Sequence, residues 1–401
     1  MMKSNFMDTL LDGVEVEWKT IGEVSEIYGG LTGKSKVDFE NGNAYYIPYK
    51  NIFSNIDVDF ENLESVKISA SENQHKVKYG DVLFTGSSEI AEEAGMSSSV
   101  TIKFDSTVYL NSFSFGVRFN DDIQLIPEFS KYLFRSRLMR TEIVKTANGV
   151  TRFNVSKARF KKILIPIPPL RVQEEIVRIL DTFTELTAEL TAELTAELEA
   201  RKKQYNYYRE QLLTFEEGEV EWKPLGELAE NHDSMRKPIT SGLREIGDIP
   251  YYGASGIVDY VKDFIFDGDY LLVSEDGANL LARRTPIAFS ISGKSWVNNH
   301  AHVLKFNTYA ERKYIECYLN SIDLTPYISG AAQPKLNQRN LNAIQIPNPS
   351  LEDKERIVSI LDKFETLTTS IQEGLPREIE LRQKQYEYYR NMLLSFPKEE
   401  V

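Results

Sequence analysis

Apolar and polar positions follow two different rhythms along this chain. Leu170, Ile176, Leu180, Phe183 and Leu186 recur at helical spacing, and neither Gly nor Pro occurs from Leu170 to Phe215. That pattern predicts an unbroken helix of about 69 Å at 1.5 Å per residue. A second stretch, Leu351 to Phe396, has the same rhythm but contains Gly374-Leu375-Pro376, where a kink or local break is expected. Prolines precede both stretches and end the extended segments before them. Having returned through a folded block, the second helix can pair antiparallel with the first. Elsewhere the rhythm is shorter. Asp81–Phe84 and Tyr270–Val273 read as strands between Gly-rich turns, and helical pieces are expected near Pro127–Met139 and Arg312–Ser321. The fold class expected is α+β.

The chain is written twice. Glu15-Val16-Glu17-Trp18-Lys19 returns as Glu219-Val220-Glu221-Trp222-Lys223, an offset of 204. Ile165-Pro166-Ile167-Pro168 returns as Ile346-Pro347-Asn348-Pro349, and Gln204-Tyr205 with Tyr207-Tyr208-Arg209 returns as Gln385-Tyr386 with Tyr388-Tyr389-Arg390, both at an offset of 181. The smaller offset means that the second variable block is 23 residues shorter than the first. Residues 24–150 and 228–329 show little similarity to each other. The order is therefore variable block, constant helix, variable block, constant helix, with expected segments 1–165, 166–217, 218–346 and 347–401. The first helix also holds Thr-Ala-Glu-Leu three times, Thr187–Leu190, Thr191–Leu194 and Thr195–Leu198. Each unit adds about 6 Å of helix and turns the leucine stripe by about 40°, which suits a length-adjustable spacer.

Composition narrows the chemistry. A single cysteine, Cys317, excludes a disulfide scaffold and leaves no cysteine pair for zinc. Apolar runs stay far below the roughly 18 residues of a membrane span, and residues 1–13 lack a secretion signal, so a soluble cytoplasmic protein is expected. Gly29–Ser35 and Ser292–Ser295 resemble phosphate loops, but Tyr28 and Ala288 stand where the pattern requires Gly. No G-x-S-x-G and no Asn-Pro-Pro-aromatic tetrapeptide occurs, and no catalytic apparatus is expected. Asn298-Asn299-His300-Ala301-His302 places two histidines on one side of a strand; polar contacts to base edges fit it better than a metal.

The net charge of −13 argues against a generic polyanion binder until it is divided along the chain. Residues 170–217 and 350–401 carry −8 of it. Lys131 to Lys162 holds ten basic side chains and one acidic, Glu142. Such a patch can hold duplex phosphates. Arg135, Arg152, Lys157 and Arg159 are its leading members, joined by Lys34 and Lys36. The second block has smaller clusters, Arg236-Lys237, Arg283-Arg284 and Lys335 with Arg339, and Gln333 is a further candidate DNA contact. Two polar loops that follow strands, Thr85–Glu89 with Ser87 and Ser88 and Glu275–Asn279 with Asp276 and Asn279, are candidate base readers, as are Asn298, Asn299 and His300.

This organisation resembles the specificity subunit of Type I restriction–modification systems, of the kind with Thr-Ala-Glu-Leu spacer repeats. The Ile-Pro-x-Pro openings at Ile165 and Ile346, the Gln-Tyr-x-Tyr-Tyr-Arg helix ends and the triple tetrapeptide carry the resemblance, together with Ile249–Gly256, Glu275-Asp276-Gly277 and Asn299–His302. It implies two globular target-recognition domains separated by two long antiparallel helices, a coiled-coil spacer with a pseudo-twofold internal repeat. It implies that each domain reads half of a bipartite asymmetric DNA target. The helices would dock two modification (methyltransferase) subunits, with two restriction (motor and endonuclease) subunits joining the complex and no membrane involved. Ile176, Leu180, Phe183, Tyr205, Tyr208 and Leu212, with Ile357, Leu361, Phe364, Tyr386, Tyr389 and Leu393, are the docking residues expected. The chain itself would hold no cofactor: S-adenosylmethionine, ATP and Mg2+ would belong to the partners. The competing expectation is a coiled-coil adaptor that bridges two proteins without reading DNA.

Overall fold

The structure is a computed structural model that describes residues 7, 9–330, 333–370 and 373–397. It divides into two compact units, Met1–Ala192 with Glu380–Val401, and Glu193–Ile379.

The long helix α1 spans Leu170–Leu213 without interruption, as the absence of Gly and Pro predicts. The second stretch is two helices, α2 (Leu351–Thr369) and α3 (Leu375–Leu393). The expected blemish is a full break. Ser370 is extended at the end of α2, and a Cβ on Gly374 would lie 2.5 Å from the Thr366 carbonyl oxygen. Only glycine fits there, and Pro376 is tolerated in the first turn of α3 because that turn has no upstream carbonyl to lose.

In the first unit, Ser25–Gly29, Ser114–Phe119, Val82–Thr85 and Ser97–Ser99 form an antiparallel sheet in that order. A smaller sheet joins Glu64–Val66, Ala44–Ile47 and Val108–Leu110. The expected strand is shifted by one residue to Val82–Thr85. The expected helical piece near Pro127 is two helices, Pro127–Leu133 and Arg137–Lys145, the second capped by the Ser136 side chain. Phe84 and Phe115 stack on each other, and Phe134 and Phe160 meet them edge to face. Val172, Ile176 and Leu180 of α1 and Leu393, Leu394 and Phe396 at the end of the chain enter the same core. Each such buried aliphatic contributes about 1.5–3 kcal/mol.

The second unit repeats the plan with different letters. Glu230–Asn231, Ala301–Lys305, Tyr270–Ser274 and Ala288–Ile291 make one sheet, and Gly256–Val261, Ile246–Gly253, Lys294–Val297 and Phe266–Asp267 make another. Helix Tyr309–Ser321, opened by a Thr308/Glu311 capping box, packs with α2 on a core that includes Leu271, Val273, Ile357 and Leu361.

Both sequence offsets meet in one structural device. Glu17–Thr20 pairs antiparallel with Leu164–Ile167, placing Trp18 opposite Pro166. Glu221–Pro224 pairs with Gln345–Asn348 in the same way, placing Trp222 opposite Pro347. The Glu-Trp-Lys motif is thus the strand that fastens the start of each block to its end, just before the helix.

Candidate nucleic-acid interface

The basic stretch of the first block is not one exposed patch. Arg135 lies inside the unit and donates to the carbonyls of Ser97 (2.6 Å), Ile52 (2.8 Å), Phe53 (2.9 Å) and Asn55 (3.1 Å). Burial, with Arg140 and Arg390 nearby, pushes its guanidinium down to about 10. Arg140 clasps the Glu92, Ala94 and Gly95 carbonyls and is likewise pushed down to about 10 by burial. Lys131 bridges Asp57 and Asp181. Lys34 is 5% exposed at its side chain, 2.5 Å from Glu72, and donates to the Lys67 carbonyl. Arg135 and Lys34 therefore leave the candidate set: they hold the fold. Lys36, Arg152, Lys157 and Arg159 stay exposed.

Arg152 and the Ser87–Ser88 strand belong to one small ribbon. Ala147–Asn148 pairs with Phe153–Val155, which pairs with Ser87–Ser88. Ser87 and Ser88 are buried; Ser87 accepts from Arg152 Nε at 3.1 Å and from the Tyr49 hydroxyl through its carbonyl at 2.8 Å. Beside the ribbon lies an open cavity of about 450 Å³ lined by Tyr49, Phe53, Phe113, Glu89, Glu93 and Arg152. Arg152 sits 5.7 Å over the Phe113 ring, itself well exposed. The aromatic walls carry no periodic signal and were not legible in the sequence.

In the second block the structure gathers three separate motifs. The Glu275 amide donates to the His300 carbonyl, and the Leu336 amide to the Glu275 carbonyl. Asp276 accepts from His300 Nδ1 at 2.9 Å, and Asn298 accepts from the His300 amide. Glu275 is clamped by Arg236 at 2.6 Å and Lys335 at 3.0 Å. Burial works against its charge, but those two cations, with His302 nearby, hold its carboxyl below the usual range. The two histidines do not share a side. His300 is exposed, whereas His302 is buried with Nδ1 2.5 Å from Asp233 and Nε2 2.7 Å from the Leu336 carbonyl. Burial also opposes the charge on Asp233, and the His302 hydrogen bond with the Val303 amide and Arg236 outweighs it, so its carboxyl too sits low.

Two further candidates in this block are structural. Asn279 closes the 279–285 turn with both ends of its amide, and Arg283, at φ 49°, donates to the Ile322 carbonyl beyond the helix Tyr309–Ser321. Arg284, Asn299 and Gln333 remain exposed.

A family model described as the Type I restriction modification DNA specificity domain matches residues 13–200 and 217–381. The chain belongs to this family. It is 33% identical to the Type I restriction enzyme EcoR124I/EcoR124II specificity subunit of Escherichia coli, over 100% of this chain and 99% of that protein. It is 34% identical to the EcoprrI specificity subunit of the same organism, over 93% of each. Among solved structures, a chain from work on assembly and conformational transition of the type I R-M system matches with a TM-score of 0.68 at 15% identity, covering 95% of this chain and 98% of that one. The HsdS subunit from Thermoanaerobacter tengcongensis matches at 0.58 and 18% identity, covering 95% and 96%. These likenesses establish the fold expected of a specificity subunit.

The helical residues assigned to partner docking are mostly inside this specificity subunit. Ile176, Leu180, Ile357, Leu361 and Leu393 are at most 2% exposed. In the first unit Phe183 packs on Tyr389 and Thr184 meets the Tyr386 hydroxyl at 2.9 Å, an antiparallel pairing of α1 with α3. In the second unit Tyr205 and Tyr208 of α1 pack on Phe364 of α2, with Leu212 against the same core. These side chains join the chain to itself. Tyr208, although it packs on Phe364, is 39% exposed; more exposed are its neighbour Tyr207 (59%) and Tyr388 (51%), which occupy equivalent positions in the two copies. Periodicity marks the core stripe, and these two tyrosines lie just off it.

Proposed function

We propose that this specificity subunit reads a bipartite, asymmetric DNA target, each recognition block taking one half, within a type I restriction–modification complex. The observation that carries this reading is a duplicated scaffold with unlike reading surfaces. The Trp18/Pro166 and Trp222/Pro347 strand pairs and their helices repeat, while the loops beside Arg152 and Lys335 differ in every side chain. Two different surfaces on one repeated frame suit a target whose halves differ.

The helices α1, α2 and α3 carry much of the acidic charge and serve as spacer and docking surface for two modification subunits, with Tyr207 and Tyr388 as equivalent contacts. Two restriction subunits join that core. S-adenosylmethionine, ATP and Mg2+ act on the partner subunits, so this chain recognises rather than catalyses, and it works in the cytoplasm. Among the described residues no helix is long and apolar enough to cross a membrane. The test is the methylated motif in a genome carrying this system. A gapped motif with unlike halves is expected, and a continuous or palindromic motif would overturn the reading.

A further inference from the structure

The duplication runs deeper than the letters. Adding 181 to Gly149 gives Gly330, and both glycines have positive φ, 148° and 85°. A Cβ on Gly149 would lie 1.9 Å from the Arg152 carbonyl oxygen, and one on Gly330 would lie 2.4 Å from that of Gln333, the residue equivalent to Arg152. Asn148 pairs with Asn154, and their counterparts Ser329 and Lys335 pair likewise. Asn154 then pairs with Ser87, and Lys335 with Asp276. The Val155 amide donates to the Gly86 carbonyl at 2.9 Å, and its counterpart Leu336 to Glu275 at 2.8 Å. Ser156 and its counterpart Asn337 each cap the short helix that follows. Each block therefore lays one hairpin, in one register, along the loop that follows its central strand.

Charge sets these hairpins apart. In a chain of net charge −13, no Asp or Glu occurs from Ile143 to Gln173, nor from Leu324 to Leu351. The loops alongside are different in kind. Ser87-Ser88-Glu89 borders the aromatic cavity with two carboxylates, and Asp276 sits with His300 and Glu275. Carboxylates repel phosphates but accept hydrogen bonds from base amines. The halves of an asymmetric target differ in their bases and share a sugar–phosphate backbone. The element built identically in both blocks, and free of acid in both, suits what the halves share.

Resting on the DNA-reading role above, we propose that the hairpins around Gly149 and Gly330 are sequence-independent anchors on the DNA backbone. Arg152 and Gln333 are their equivalent phosphate contacts, and base choice resides in the braced loops at Ser88-Glu89 and at Asp276. Both Arg152 and Gln333 are exposed; Arg152 donates through Nε to Ser87 and lies over the Phe113 ring.

The experiment uses the full chain assembled with its modification subunits, binding its target duplex and an unrelated duplex across a salt series. Arg152→Gln is expected to weaken both by a similar factor and to lower the slope of log K against log salt by about 1, with the methylated sequence unchanged. Gln333→Arg is expected to steepen the slope by about 1, which a purely structural role would not do. Glu89→Gln or Asp276→Asn is expected to change the preferred half-site instead. A new base preference in Arg152→Gln, or an unchanged slope in both tip variants, overturns the proposal while leaving DNA reading intact. A wild-type complex with no preference between the duplexes overturns both.

Discussion

Tyr132 donates its hydroxyl hydrogen to Asp181 at 2.6 Å, tying the first block to the helix that leaves it. Asp362 stands 181 residues after Asp181 and receives Tyr309 at 2.8 Å. The two tyrosines are not themselves equivalent, since the residue 181 after Tyr132 is Lys313. Unlike blocks have thus reached the same carboxylate of the repeated helix by different routes. Burial, then the bond to Asp181, pushes the Tyr132 hydroxyl well above its usual range, and the phenol stays a donor. Tyr132→Phe is expected to lower stability by about 1–2 kcal/mol in thermal melts. Tyr309 is half exposed, so Tyr309→Phe should lower it by less. Equal losses would show that burial does not set the strength of this tie.

The second block should be acid-sensitive. The carboxyls of Asp233 and Glu275 titrate below their ordinary values of 3.8 and 4.5 in the fold. A group whose folded pKa is depressed contributes stability above its unfolded pKa and loses it as pH falls through the folded one. Both contributions are therefore complete above about pH 5 and fade below about pH 4.5. Melting temperature followed from pH 6 to pH 3 should drop more steeply in the wild type than in Asp233→Asn, which is destabilised at neutral pH but has less left to lose. Parallel curves would count against it.

Core and docking roles on the helices can be separated by substitution. Leu361→Ala empties a fully buried site and should cost about 2–5 kcal/mol. Tyr207→Ala and Tyr388→Ala touch exposed rings and should change stability by less than about 0.5 kcal/mol each. Their expected effect is weaker capture of modification subunits, read by co-purification. Unimpaired assembly in the double variant would move the docking surface elsewhere.

The repeat and the helices were legible because a duplicated core stripe repeats in letters: Ile176 and Ile357, or Leu180 and Leu361, must fill the same kind of space. The hairpins were not, because their likeness resides in backbone hydrogen bonds that accept almost any side chain; past the glycines, Arg152 corresponds to Gln333 and Asn154 to Lys335. Cations misled for another reason. Sequence marks Arg135 and Arg159 alike as basic, but only the fold shows that one reaches four inward carbonyls while the other is exposed and holds Asn148. A break in a helix was predictable from Gly374 and Pro376, whose backbone limits are intrinsic to the residue.

The tetrapeptide repeat offers the most direct test of the spacer. Helix α1 runs unbroken through Thr187–Leu198, and the repeat leucines Leu190, Leu194 and Leu198 are half-buried, while Leu186 is exposed. No Gly or Pro interrupts this stretch. Deleting Thr191–Leu194 should leave a continuous helix shorter by about 6 Å, with the stripe rotated by about 40°. At 3.4 Å per base pair that length corresponds to one or two base pairs. The methylated motif of the deletion variant is expected to keep both half-site sequences and to lose one or two base pairs of the gap between them. If the helix is the ruler, half-site identity and gap length vary independently, because the loops at Ser88 and Asp276 are untouched. A motif with an unchanged gap would mean that something other than α1 sets the distance, and altered half-sites would mean that spacer and reading loops are coupled.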